Sequence, residues 1–260
     1  VDDLTAPVEI PQISPVETEA PAETGGADDT IRIDDLRQVK GVVTPVREEI
    51  PQAPAETVTG DTVRLDTIPE HLNAEVEETA AAIGAVNTVV NRGGQLYGYN
   101  TDFGGMADLI KRTGIDLKDK KVLILGTGGT SKTAMAVAEH MGAASVRKVS
   151  RSPKPGALTY EEVLQNHLDA QVLINTTPRG MFSRESGMSI DPTRFSALCG
   201  AIDAVYNPLR TEFILKARSM GIPAAGGLYM LVRQAVLASE IFLDTKYPDT
   251  ITEKVYSGIK

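Results

Sequence analysis

The residues best suited to chemistry begin with a glycine cluster. Gly126-Thr-Gly128-Gly129-Thr130 follows the apolar run Val122–Leu125 and leads into "AMAVAEHMGA", small and apolar residues at helical spacing closed by Gly142. Strand, glycine turn and helix in this order bring backbone N–H groups and a helix N-terminus towards a pyrophosphate. Glycine is needed there because a side chain would block the approach, and Ala134 takes the third-glycine place, where helix and strand pack closely. A tight turn with no ligand has the same glycines, so the pattern alone does not decide. The next element discriminates. "SVRKVSRS" reads as a second strand and ends in Ser150, Arg151 and Ser152, with Lys154 close behind. A NAD site places an acid here to bind the ribose 2′-hydroxyl. An acid would repel a 2′-phosphate, whereas a guanidinium grips it with two hydrogen bonds. The expected cofactor is therefore NADP, the bland alternative being that Arg151 is a solvated surface charge.

The elements that must position these residues form a chain of two characters. Residues 1–80 carry 19 Asp and Glu against 5 Lys and Arg, together with 8 of the 15 prolines, and no aromatic precedes Tyr97. Segments such as "SPVETEAPAETGGADDT" and "VREEIPQAPAETVTGDT" read as Pro-interrupted, acidic and poorly folding. From Ala80 onward the pattern is that of an ordinary α/β protein. No run approaches eighteen apolar residues, so no membrane-spanning helix is expected. "VDDLTAPVEI" lacks the order of a secretory signal. A single cysteine, Cys199, excludes an internal disulfide, and His71, His140 and His167 are too scattered for a metal motif. These features lead us to expect a reducing, cytoplasmic setting. The net charge of −9 argues against nucleic acid or an anionic membrane as partner.

Five stretches carry a family resemblance: "AIGAVNTVV" (82–90), "GYNTDFGG" (98–105), "GTGGTSKTA" (126–134), "INTTPRGM" (174–181) with "DAVYNPLRT" (203–211), and "AAGGLYMLVRQA" (224–235). In this order and spacing the chain resembles the shikimate dehydrogenases over residues 80–245. The resemblance implies an α/β protein: a Rossmann-like NADP-binding domain plus a smaller α/β substrate domain completed by the C-terminal helices, with the first 80 residues irregular. The expected divisions are 1–103, 104–235 and 236–260. It implies reversible NADPH-dependent reduction of the 3-dehydroshikimate ketone to shikimate, by a monomer or homodimer, with a small-molecule substrate.

By resemblance, Asn87 and Asp102 bind substrate hydroxyls, and Asp102 also partners a catalytic lysine. Asp102 suits an N-cap of "FGGMADLIKRTG" as well. Gln234 shares a face with Met230, Ala238 and Phe242 at i, i+4 spacing. An amide on that apolar face needs a partner, either a substrate oxygen or a structural hydrogen bond. The nicotinamide-side loop contributes Thr176, Thr177 and Met181, with Arg179 where the family usually has a small apolar residue. Tyr206 matches a position near the substrate and Gly227 one near the cofactor. The cofactor set is thus Gly126, Gly128, Gly129, Thr130, Ser150, Arg151, Ser152, Lys154, Thr176, Thr177, Met181 and Gly227.

The N-terminal motifs depart from the family. "PQISPVETEA" keeps Ser14 of the substrate-carboxylate loop but has Gln12 where the first serine belongs. "VKGVVTPVREEI" supplies Thr44 and sets Arg47 where the catalytic lysine is expected; Lys40 precedes the motif, and "TIPEH" would place His71 there, too close to Asn87. Ketone reduction needs a proton for the developing alkoxide and positive charge beside it. Arginine supplies the charge but, with a pKa above about 12, barely gives up its proton. An impaired enzyme is expected. A silent relative that binds NADP(H) or shikimate, and an engineered chain carrying only the family's C-terminal two thirds in working form, are the alternatives.

Overall fold

The computed structural model describes residues 63–64, 75–183 and 186–259, all within the compact unit Glu56–Lys260. In chain order these residues form β1 (Val63–Arg64), β2 (Glu75–Val76), α1 (Glu78–Ile83), β3 (Ala85–Val86), β4 (Thr88–Arg92), β5 (Gln95–Tyr99) and α2 (Thr101–Thr113). Then come β6 (Lys121–Leu125), α3 (Gly129–His140), β7 (Ser145–Ser150), β8 (Ala157–Thr159), α4 (Tyr160–Asn166) and β9 (Val172–Asn175). The chain ends with β10 (Gly200–Asp203), α5 (Glu212–Ser219), β11 (Ala224–Ala225), α6 (Leu228–Leu243) and α7 (Thr250–Ile259).

Six strands form one parallel sheet in the order β11-β10-β9-β6-β7-β8. Its central strands are apolar on both faces because helices cover both. Val122 and Ile124 of β6 pack with Val137 and Ala138 of α3 and Ile110 of α2 on one side. Leu123 and Leu125 pack with Val163 of α4 and Phe213, Ile214 and Ala217 of α5 on the other. From β6 the chain runs outward through β7 and β8, then returns to β9 on β6's opposite edge. That reversal opens a crevice beyond the carboxyl ends of β6 and β9, where such sheets bind ligands.

A smaller mixed sheet, β2-β5-β4, precedes it. Gly93 and Gly94, at φ +61° and +93°, make the two-residue turn between β4 and β5, as a hairpin of this length demands. The stretch "AEVEETAAAIG" is divided: Glu75–Val76 pairs with β5, and only Glu78–Ile83 is helical. α2 and α6 lie close together because Gly105 has no side chain; a Cβ there would come within 2.8 Å of the Met230 carbonyl oxygen. The boundaries expected at 103/104 and 235/236 fall inside these two helices. The apolar face expected on α6 is buried only in part: Met230 joins the core beside α2, whereas Phe242 is 58% exposed, and Leu228, Val232 and Val236 form a second buried stripe against Tyr247, Ile251 and Tyr256.

Candidate functional site

A cavity of about 460 Å³ lies at the carboxyl ends of β6, β7 and β9. Gly126 and Gly128 form its floor and differ in why they are glycine. Gly126 has φ +121°, and a Cβ on it would meet the Thr176 hydroxyl at 2.7 Å. Gly128 has φ −82° and ψ −169°, extended backbone open to any residue, and a Cβ there would meet no protein atom within 4 Å. Folding alone does not require glycine at 128, whereas a ligand brought close to the backbone would. Gly129 and Thr130 begin α3, whose first amides receive no side-chain cap and whose dipole end favours an anion.

The cavity walls carry the cations. Ser150, Arg151, Ser152 and Lys154 come from the end of β7 and the loop beyond it, and Thr176, Thr177 and Arg179 from the loop after β9. Among the described residues no acidic side chain lines the space. The Lys154 ammonium donates to the Thr127 hydroxyl at 3.2 Å, which holds it across the glycine turn. These residues fit a dinucleotide with a phosphorylated ribose: bare backbone for the pyrophosphate and fixed positive charge for the 2′-phosphate. Met181 lies apart from them, in a separate depression with Phe182, Pro208 and Thr211. Gly227 also lies outside the cavity. A Cβ on it would sit 2.2 Å from the Ala204 oxygen, so close backbone packing accounts for this glycine.

A second polar group lies where α2, α6 and β4 meet. The Asn87 side-chain oxygen accepts from the Thr101 amide at 2.9 Å and the Thr88 hydroxyl at 3.1 Å. The Thr101 hydroxyl stands 3.3 Å from both Asn87 Oδ1 and Gln234 Oε1, and its one proton serves one of them at a time. Gln234 Nε2 donates to the Leu231 carbonyl at 3.0 Å. With its oxygen fixed by these donors, Asn87 presents Nδ2 as a donor with no partner among the described residues. Asp102 is half-buried in the first turn of α2. The cap expected of it is made by Asn100, whose oxygen accepts from the Phe103 amide and whose Nδ2 donates to the Ala85 carbonyl at 3.0 Å. Nothing local in the sequence shows that Thr101 joins Asn87, 14 positions before it, to Gln234, 133 positions after it. Tyr206 is 43% exposed and belongs to neither group.

Behind the cavity a buried network fixes the loop after β9. Asp203, fully buried, accepts from Asn175 Nδ2 at 2.8 Å, the Val205 amide at 3.0 Å and the Thr211 hydroxyl at 2.6 Å. Burial raises its carboxyl above the ordinary range, and these three donors offset part of that rise. Asn175 Oδ1 in turn accepts from the Thr177 amide and hydroxyl, and Thr177 shares a 2.7 Å hydrogen bond with Ser189. Ser189 bonds the phenol of Tyr160, a cavity wall that sequence reasoning missed. Among the described residues no cluster of His, Cys, Asp and Glu could hold a metal, and no helix is long and apolar enough to cross a membrane. Ser14, Thr44 and Arg47 lie outside the described residues.

No protein-family model matches the chain. A shikimate dehydrogenase (NADP(+)) of Clostridium perfringens is 32% identical over 195 residues, 71% of this chain and 72% of that one. The chain belongs to the shikimate dehydrogenase family. Among solved structures of the family, shikimate 5-dehydrogenase from Thermus thermophilus, in complex with NADP(H) and shikimate, is 29% identical with a TM-score of 0.61, covering 70% of this chain and 71% of that one. The ligand-free 5-ketofructose reductase of Gluconobacter sp. strain CHM43 is 26% identical with a TM-score of 0.61, covering 74% of each chain. Proteins named for different substrates thus share this fold.

Proposed function

We propose that this protein binds NADP(H) in the glycine-turn cavity and is built for reversible reduction of the ketone of a polyhydroxylated carboxylate, 3-dehydroshikimate to shikimate. The observation that carries the reading is the cavity's make-up: a bare Gly128, an uncapped α3 N-terminus, and Arg151 and Lys154 with no acid among the lining residues. The relatives' names support the substrate class. Within this reading the chain up to about residue 103 and the helices from 236 serve the substrate, and 104–235 the cofactor. Asn87, through Nδ2, and Gln234 hold substrate hydroxyls, with Thr101 keeping both side chains in register. Asp102 orients the proton donor, and Ser14, Thr44 and Tyr206 complete the substrate contacts. When bound, NADPH supplies the hydride. Polar groups locked to helix ends suit this work because positioning alone can contribute several kcal/mol, up to about 7–11, to an enzyme's rate.

Binding without efficient turnover is the second reading, favoured by Arg47 at the lysine place in "VVTPVREEI". One assay separates the two. Shikimate-dependent reduction of NADP+ should be measurable but slow, and NADPH binding followed by fluorescence should be intact. Turnover with 5-ketofructose and none with shikimate would refute the substrate assignment. Failure of NADPH to bind would refute the cofactor assignment and both readings with it.

A further inference from the structure

Arg179 occupies a wall from which a dinucleotide's 2′ position is not ordinarily read. That position is recognised from the strand that follows the glycine turn and helix, here β7 with Arg151 at its end. Arg179 follows β9, and β6 stands between β9 and β7 in the sheet. The two arginines nevertheless line one cavity, and both act on one group within it. Burial raises the Tyr160 phenol above its ordinary range; the Ser189 hydrogen bond and the fields of Arg151 and Arg179 each pull it back.

The placement of Arg179 is built into the loop. Its amide donates to the Thr177 hydroxyl at 3.3 Å, that hydroxyl shares a hydrogen bond with Ser189, and Ser189 bonds Tyr160. The next residue, Gly180, turns the chain at φ +89°. A charge so tethered costs less entropy to bring to a ligand than one on a free loop.

We infer that Arg179 is a specificity-determining residue, a second guanidinium that closes on the 2′-phosphate of NADP(H) from the wall opposite Arg151. The inference rests on the proposed NADP reading and adds a residue to it. A phosphate dianion has three acceptor oxygens, enough for two guanidinium forks, and pairing with each is charge-assisted. A ribose bearing only hydroxyls gives neither arginine that partner, so the arrangement raises selectivity as well as affinity.

The test compares dissociation constants of NADPH, NADH and adenosine 2′,5′-bisphosphate for the full chain and for Arg179→Gln, Arg179→Lys and Arg151→Gln. Arg179 is exposed, so its variants should fold, and melting temperatures equal to the parent's would confirm it. Arg179→Gln should weaken NADPH and the bisphosphate by about tenfold to a hundredfold, the range for a charged hydrogen bond, and NADH less than about twofold. Arg179→Lys, which keeps the charge without the fork, should fall between. Equal weakening of NADPH and NADH would place Arg179 at the pyrophosphate and overturn the inference. So would an unchanged NADPH-to-NADH ratio in Arg179→Gln while Arg151→Gln shifts it, a result that leaves the NADP reading standing. Failure of the parent chain to prefer NADPH would remove both.

Discussion

In the proposed cofactor site Arg151 and Gly128 divide the work, one by charge and one by the absence of a side chain. Arg151 follows β7 directly, in the place where NAD sites carry an acid, and among the described residues nothing acidic lines the cavity around it. Arg151→Ala should therefore cost about 1.5–3 kcal/mol of NADPH affinity, as for a charged hydrogen bond, and leave NADH nearly unchanged. Calorimetric titration with both cofactors checks this, and equal losses would show that Arg151 does not meet the 2′-phosphate. Gly128 gives a sharper contrast. Its backbone angles suit any residue and a Cβ there touches nothing, so Gly128→Val should fold and melt as the parent does. A branched side chain would still fill the space that the pyrophosphate needs, and NADPH binding should be lost. A folded variant with normal NADPH affinity would make the turn purely structural.

Elements explain why these residues stay in place, and Asp203 ties three of them together. It sits at the end of β10 and holds Asn175 at the end of β9 and Thr211 at the start of α5. Because burial is the largest influence on its carboxyl and raises it, the folded state takes up this proton more readily than the unfolded chain. Its contribution to stability is then greatest below the ordinary carboxylate range and falls as pH rises through that range to the raised value. Asp203→Asn, which cannot ionise, should lack this slope. Urea unfolding between about pH 4 and 7 should show the parent losing stability relative to the variant as pH rises, and parallel curves would contradict the assignment.

The same elements show what the sequence could and could not reveal. The β6–turn–α3 unit and the end of β7 were legible because their apolar runs and glycines depend only on neighbours a few residues away. The Thr101 link between Asn87 and Gln234 was not, since it is made by packing α6 on α2 through Gly105. Asp102 was expected as the cap because Asp suits that position, but Asn100, two residues earlier, is held there by the Ala85 carbonyl of β3. Arg179 differs again. Its type was visible, while the cavity it shares with Arg151 follows from sheet order alone.

At the scale of the whole molecule, the proposed reaction requires cofactor and substrate groups to meet a proton donor, and by resemblance Arg47 stands where the catalytic lysine is expected. Hydride delivery to a ketone leaves an alkoxide that must be protonated, and Asp102 can orient a donor better than replace it. Arginine stabilises the alkoxide's charge yet holds its own proton, so loss of general-acid catalysis should lower turnover by about 10²–10⁴. The parent's shikimate-dependent rate is expected to fall well below about 10 s⁻¹, the usual enzyme median. Arg47→Lys should raise kcat while changing KM little, because the gain is in proton transfer and not in binding. The pH profile of kcat should then acquire a basic limb from the new ammonium, which arginine cannot provide in the accessible range. An unchanged kcat in Arg47→Lys, or a parent turnover near the median, would mean that another group donates the proton.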